Sequence, residues 1–117
     1  MALTSQPSRY VLAVTGASGM PYALRLAEAM GATEHRELHV IVSQAARTVL
    51  EIETREGYAL LMSHATAVWN ENEIGAPPAS GSWHHDGMVV CPCSMASLAA
   101  MAHGLASNLI HRAADVT

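Results

Sequence analysis

Short apolar runs alternate along the chain with longer stretches in which large apolar residues recur at helical spacing. Residues 10–15 are rich in β-formers and lack polar alternation, so they read as a central strand covered on both faces. After Gly19, the residues Tyr22, Leu26 and Met30 fall four apart and predict a helix, with Arg25 and Glu28 toward solvent and Gly31 as terminator. Residues 38–43 predict a second strand, and residues 45–56 a second helix ending near Gly57. Residues 58–73 are ambiguous: 59–67 suit a helix, 67–69 a short edge strand. Prolines and glycines in 75–82 exclude a regular element there. Residues 87–91 predict another buried strand. Helical patterns follow at 95–102 and 108–115, the last with no terminator before Thr117.

Strand, helix, strand, helix at this spacing is the rhythm of βαβ units, and it predicts an α/β fold with a parallel sheet. The length of 117 residues allows one domain, read as 9–117 behind a polar tail at 1–8. Half of the residues are hydrophobic and only 14% charged, too apolar for a small monomer to cover its own core. The expectation is an oligomer or a fold completed by further chain. The net charge is −4, and the six basic residues, all arginine, are scattered, which argues against nucleic acid or an anionic membrane surface as partner. The run at 11–14 is too short for a signal peptide or membrane span. Cys91 and Cys93, one residue apart, suggest no disulfide framework, so the cytoplasm is the default compartment.

Two small-residue segments carry the candidate chemistry: Thr15-Gly16-Ala17-Ser18-Gly19 and Cys91-Pro92-Cys93-Ser94-Met95-Ala96-Ser97. Each follows a predicted parallel strand, and loops at the same ends of neighbouring strands form a crevice suited to a phosphorylated cofactor. Gly16 and Gly19 permit positive φ and close approach of a ligand, and helix N–H groups behind them would face an anion. The segment is neither a three-glycine dinucleotide fingerprint nor a Walker loop. Ser18 and Ser43 either cap helices or bind the ligand. Glu53 is either solvated helix surface or, if turned into a dry crevice, a carboxylate of raised pKa able to pass a proton. Ser94 and Ser97 could grip the polar edge of a ring cofactor. Cys91 and Cys93, even with His84, His85 and Asp86 nearby, are spaced too tightly to define a metal site, and they read as packing residues. The remaining histidines show no ligand spacing. Trp69 and Trp83 flank the Pro/Gly tract and either wall an apolar pocket or bury a subunit contact.

The chain resembles the flavin prenyltransferases, within the wider group of homo-oligomeric flavin-containing cysteine decarboxylase-like proteins. The matching stretches are Val14-Thr15-Gly16-Ala17-Ser18-Gly19, Ser43 with Ala45-Ala46, Glu53-Thr54, Ala76-Pro77-Pro78-Ala79-Ser80-Gly81-Ser82, Cys91-Pro92-Cys93-Ser94, Asn108-Leu109-Ile110 and Arg112-Ala113-Ala114-Asp115-Val116. The resemblance implies a Rossmann-like three-layer α/β/α flavoprotein. It implies transfer of a dimethylallyl group from dimethylallyl phosphate to N5 and C6 of reduced FMN, without a metal. The prenylated FMN would serve a partner decarboxylase of aromatic or unsaturated acids, including in ubiquinone synthesis, and the family's assembly is a dodecamer. Carried over by motif, Gly16, Ala17, Ser18, Ser43, Ser94, Met95, Ala96 and Ser97 would contact FMN. Ser18 and Glu53 would be the catalytic pair managing charge and protons around N5. The loop at 80–82 would belong to the pocket lid and the subunit contact.

Gln44 stands where relatives often carry lysine. Family members are also longer. Their later segment supplies the arginine, lysine and tyrosine groups that hold the phosphates, and the closing strands of the sheet. The expectation is an N-terminal portion lacking those C-terminal strands. Two alternatives accompany this reading: an FMN-dependent cysteine decarboxylase of the same fold, and a non-catalytic FMN-binding carrier.

Overall fold

The computed structural model describes residues 6–117. Along the chain come β1 (Ser8–Val14), α1 (Met20–Ala29), β2 (Arg36–Val42), α2 (Gln44–Glu53), α3 (Gly57–His64), β3 (Ala67–Asn70), a 3-10 turn (Pro77–Ala79), β4 (Gly87–Val90), α4 (Met95–Ala102) and α5 (Leu109–Asp115). The four strands pair in parallel in the order β3-β2-β1-β4. The chain thus winds outward from β1 and later returns to its other side.

Period-two alternation divides each strand between two apolar layers. Leu12 and Val14 of β1, with Leu38, Val40 and Val42 of β2, pack against Met20, Ala23 and Ala27 of α1, Ala46 and Leu50 of α2 and Leu61 of α3. Val11, Ala13 and Ile41 point the other way, onto Leu109, Ile110 and Ala113 of α5 and Ala76 and Ala79 beside the 3-10 turn. Val11 to Val14 are wholly buried. Each such Val or Leu contributes about 1.5–3 kcal/mol of transfer free energy, which explains the missing alternation in this central strand.

Four expectations are corrected. The face that α1 lays on the sheet is Met20, Ala23 and Ala27, while Tyr22 is 73% exposed. Two alanines let the helix approach the sheet closely beyond Met20, while Leu26 and Met30 pack only partly against the same core. The second helix ends at Glu53, because Thr54 is extended and Glu56 adopts a left-handed conformation, φ 55°. Gly57 therefore opens α3 instead of closing α2. β4 forms a sheet edge among the described residues, and its Val89 is 38% exposed. Ser8 already pairs with Arg36 in β1; the rest of the expected tail, apart from Gln6 and Pro7, lies outside the described residues.

Candidate active site

The first helix after β1 leaves on one face of the sheet, whereas the segment leading into β4 crosses the other. The chain therefore parts at the carboxyl ends of β1 and β4, and a crevice opens between their exit loops. One wall is residues 15–19 with the end of α2. The other is residues 91–97.

On the first wall, Ser18 and Glu53 meet. Ser18 Oγ donates to Glu53 Oε2 at 2.8 Å, and the amides of Gly19 and Met20 donate to Oε1 at 3.0 and 2.9 Å. Gly19 is the N-cap of α1 with φ 109°, a left-handed backbone that glycine adopts freely, and no side chain of its own caps the helix. Glu53 does so from 34 residues away, opposite the positive end of the helix dipole. These hydrogen bonds hold its carboxyl below the ordinary value of 4.5, with the Met20 amide the largest cause. Glu53 is exposed, not dry, and its shift runs opposite to that of a buried carboxylate. At neutral pH it is an anion and a hydrogen-bond acceptor.

The consequence for the Gly16–Gly19 turn is specific. The leading N–H groups of α1, expected to face a ligand anion, are taken by Glu53. Gly16 does not have positive φ. A Cβ there would lie 2.5 Å from Ala45 Cβ, so the absent side chain makes room for α2. Ser43, buried at the end of β2, caps α2 by accepting from the Ala46 amide at 3.0 Å. Glu71, just past β3, accepts from the Gln44 amide at 3.0 Å and gives α2 a second acceptor.

On the second wall, Ser94 caps α4, its Oγ accepting from the Ser97 amide at 3.1 Å and donating to Ser97 Oγ at 2.8 Å. The amides of Met95 and Ala96 begin α4 and have no acceptor among the described residues, as expected for a first helical turn. Both residues are exposed. The hydroxyl protons of Ser43 and Ser97 are likewise unclaimed among the described residues. Two amide and two hydroxyl donors therefore stay open beyond the carboxyl ends of β2 and β4, on either side of β1, where an acceptor-rich flavin edge or phosphate fits their chemistry. Cys91 and Cys93 are free and half-buried, and burial pushes the Cys93 thiol up, away from a nucleophilic thiolate. No group of three or more metal-binding side chains occurs among the described residues.

Sequence reasoning passed over Thr15 and Glu71 as site-forming residues. Thr15 is 1% exposed and, from the first exit loop, bonds to Pro92 and Ser94 of the second. Its partners stand 77 and 79 positions along the chain, so no local spacing announces it. Two cavities open elsewhere, one of about 440 Å³ beside Arg9 and Trp83 and one of about 500 Å³ beside Ser80 and Arg112. Neither gathers the donors described above.

The Flavoprotein family model matches residues 3–117. The chain belongs to the Flavoprotein family. Within that family it is similar to flavin prenyltransferase UbiX of Archaeoglobus fulgidus, 46% identical over 110 residues that cover 93% of this chain and 59% of that protein. Among solved structures it is similar to AnUbiX (PadA1) in complex with FMN and dimethylallyl pyrophosphate, with TM-score 0.88 and 37% identity over 95% of this chain and 58% of that one. The dodecameric FMN-dependent UbiX-like decarboxylase of Escherichia coli O157:H7 gives TM-score 0.87 at 36% identity, covering 92% and 58%. The FMN-dependent cysteine decarboxylase TvaF, at 16% identity and TM-score 0.72 over 94% and 67%, shares the fold. This flavoprotein chain spans 58–59% of the length of the first three.

Proposed function

We propose that this chain forms the flavin-holding part of a flavin prenyltransferase, which moves a dimethylallyl group from dimethylallyl phosphate to reduced FMN. The observation that carries the reading is the Ser18–Glu53 pair, 2.8 Å apart at the rim of the strand-exit crevice. Similarity to flavin prenyltransferases at up to 46% identity supports it. FMN would rest against Gly16, Ala17, Ser18 and Ser43 on one side and Ser94, Met95, Ala96 and Ser97 on the other.

A bound reduced flavin would supply the nucleophilic ring nitrogen and carbon, and phosphate would depart from the donor with the C–O bonding pair. Glu53, held ionised, offers a negative charge that favours an allylic cation and an acceptor for a proton relayed through Ser18 Oγ. Holding donor and acceptor together raises their effective concentration. None of the residues assigned here to FMN or catalysis is cationic. Neutralising the departing phosphate therefore falls to groups outside this set.

A homo-oligomer is part of the same reading. α4 has no buried residue, and Met95, Leu98 and Leu105 are 78%, 51% and 56% exposed, apolar surface suited to cover by further protein. The product would pass to a decarboxylase that uses prenylated FMN. No helix among the described residues is long and apolar enough to cross a membrane, and two free cysteines agree with a cytoplasmic setting.

The test supplies the full-length protein with reduced FMN and dimethylallyl phosphate and follows flavin mass. A gain of one dimethylallyl group is expected. Retained FMN of unchanged mass would replace this reading with a flavin carrier, and loss of carbon dioxide from a C-terminal cysteine substrate would replace it with a cysteine decarboxylase.

A further inference from the structure

Past the last paired residues of β1 and β4, Ala13 and Val90, the Cys91 amide still donates to the Ala13 carbonyl at 2.9 Å, and one further backbone bond follows it. Thr15 takes over at that point. Its amide donates to the Pro92 carbonyl at 3.1 Å, its Oγ1 donates to the same carbonyl at 2.7 Å, and the Ser94 amide donates to Oγ1 at 2.7 Å. With 1% exposure, the hydroxyl uses its one proton and accepts one amide where water cannot substitute. It lies one residue before the turn that leads to Ser18, and it holds the amide of the residue that caps α4.

We propose that Thr15 is a positioning residue that fixes the spacing of the two crevice walls, the Ser18–Glu53 wall and the Ser94–Ser97 wall, and so sets the geometry in which a flavin is held. A threonine serving only the core would bury its methyl group and satisfy its hydroxyl on its own strand or helix. This hydroxyl instead spans two loops that share no other side-chain hydrogen bond among the described residues. Ser94 depends on it twice over. The Thr15 bond fixes the Ser94 backbone, and that backbone directs the Oγ that caps α4 and orients Ser97. The assignment rests on the flavin-binding reading above.

Thr15→Val keeps the shape and removes both bonds, whereas Thr15→Ser keeps the hydroxyl and removes a methyl group. Thr66→Val provides a control away from the crevice, because the more exposed Thr66 Oγ1 accepts the Leu38 amide at 3.0 Å beside the β3 edge of the sheet. All are made in the full-length protein. FMN affinity is measured by fluorescence quenching well below the unfolding temperature, and exchange of the Ser94 amide by NMR. Thr15→Val is expected to weaken FMN binding about tenfold or more, and to speed Ser94 exchange by a similar factor, as loss of the two buried hydroxyl bonds implies. Thr15→Ser should restore both to within about threefold, and Thr66→Val should lower the unfolding temperature without changing either. Equal loss of FMN affinity in Thr15→Val and Thr66→Val, or unchanged affinity in Thr15→Val, overturns the proposal. If the wild-type protein does not bind FMN, the flavin reading fails by itself. The amide exchange then still decides whether Thr15 holds the second wall.

Discussion

Replacing Gly16 with alanine places a methyl carbon 2.5 Å from Ala45 Cβ and 3.2 Å from the Ala45 carbonyl carbon. The first distance is about 0.9 Å short of the 3.4 Å at which ordinary contact begins. Neither partner can yield easily. Gly16 is tied to β1 through Thr15, and Ala45 sits in the first turn of α2, which Ser43 and Glu71 both cap. Overpacking of this kind costs about 1–3 kcal/mol. Ala45→Gly alone removes an exposed methyl group from a helix and costs about 0.5–1 kcal/mol. In the double variant the nearest atoms are Ala45 backbone carbons at 3.2 and 3.4 Å, tight but tolerable after a shift of a few tenths of an ångström. The two substitutions should therefore be non-additive, with about 1–2 kcal/mol of favourable coupling. Urea unfolding of the four proteins at constant m-value measures it. FMN affinity should recover together with stability in the double variant. Additivity within about 0.5 kcal/mol would refute the contact. Recovery of stability without FMN binding would show instead that the glycine serves the ligand.

Three further outcomes follow from single side chains. Because the folded pKa of Glu53 is depressed, its stabilisation is present above the ordinary carboxylate pKa and disappears as pH falls through the folded value. Wild type should thus be more stable than Glu53→Gln at neutral pH by an amount that fades only below pH 4.5, read from unfolding midpoints across pH; an advantage that grew on acidification would contradict the cap. Ser43→Ala should cost about 1 kcal/mol in urea unfolding, the loss of an N-cap, even without flavin, and a neutral effect would leave ligand binding as its role. Arg9 bonds Glu37 at 3.1 Å and lies 4.4 Å from the centre of the Trp83 ring. Arg9→Met should raise the Glu37 pKa in an NMR titration and alter Trp83 fluorescence, with about 1 kcal/mol lost. His39, the larger cause of the Glu37 depression, should keep that pKa from returning fully to 4.5.

Much of the fold was legible because its signals are local. An apolar run such as 11–14, too short for a helix and lacking alternation, has one economical home in a covered parallel strand. Asn108, Ser43 and Ser94 stand at helix starts because a short polar side chain reaches the amide three residues on. The helix faces were harder to read. Tyr22, Leu26 and Met30 present a convincing stripe, yet Met20, Ala23 and Ala27 are the residues fully buried on the sheet, with Leu26 and Met30 only partly covered and Tyr22 exposed. Spacing alone could not distinguish these two faces.

By itself, the sequence determined the parallel α/β architecture and the position of both exit loops and, through resemblance, paired Ser18 with Glu53, which the fold brings into contact. Those depend on residue type and order. Tertiary structure alone decided what each group does there: that Glu53 is an exposed, ionised cap on α1, that Gly16 yields space to Ala45, and that Thr15 bridges the walls. Hydrogen bonds spanning 33 to 79 positions arise from strand order, and strand order is a property of the assembled sheet. Charge state follows the same rule, because a carboxylate's pKa is set by the amides that surround it once the chain has folded.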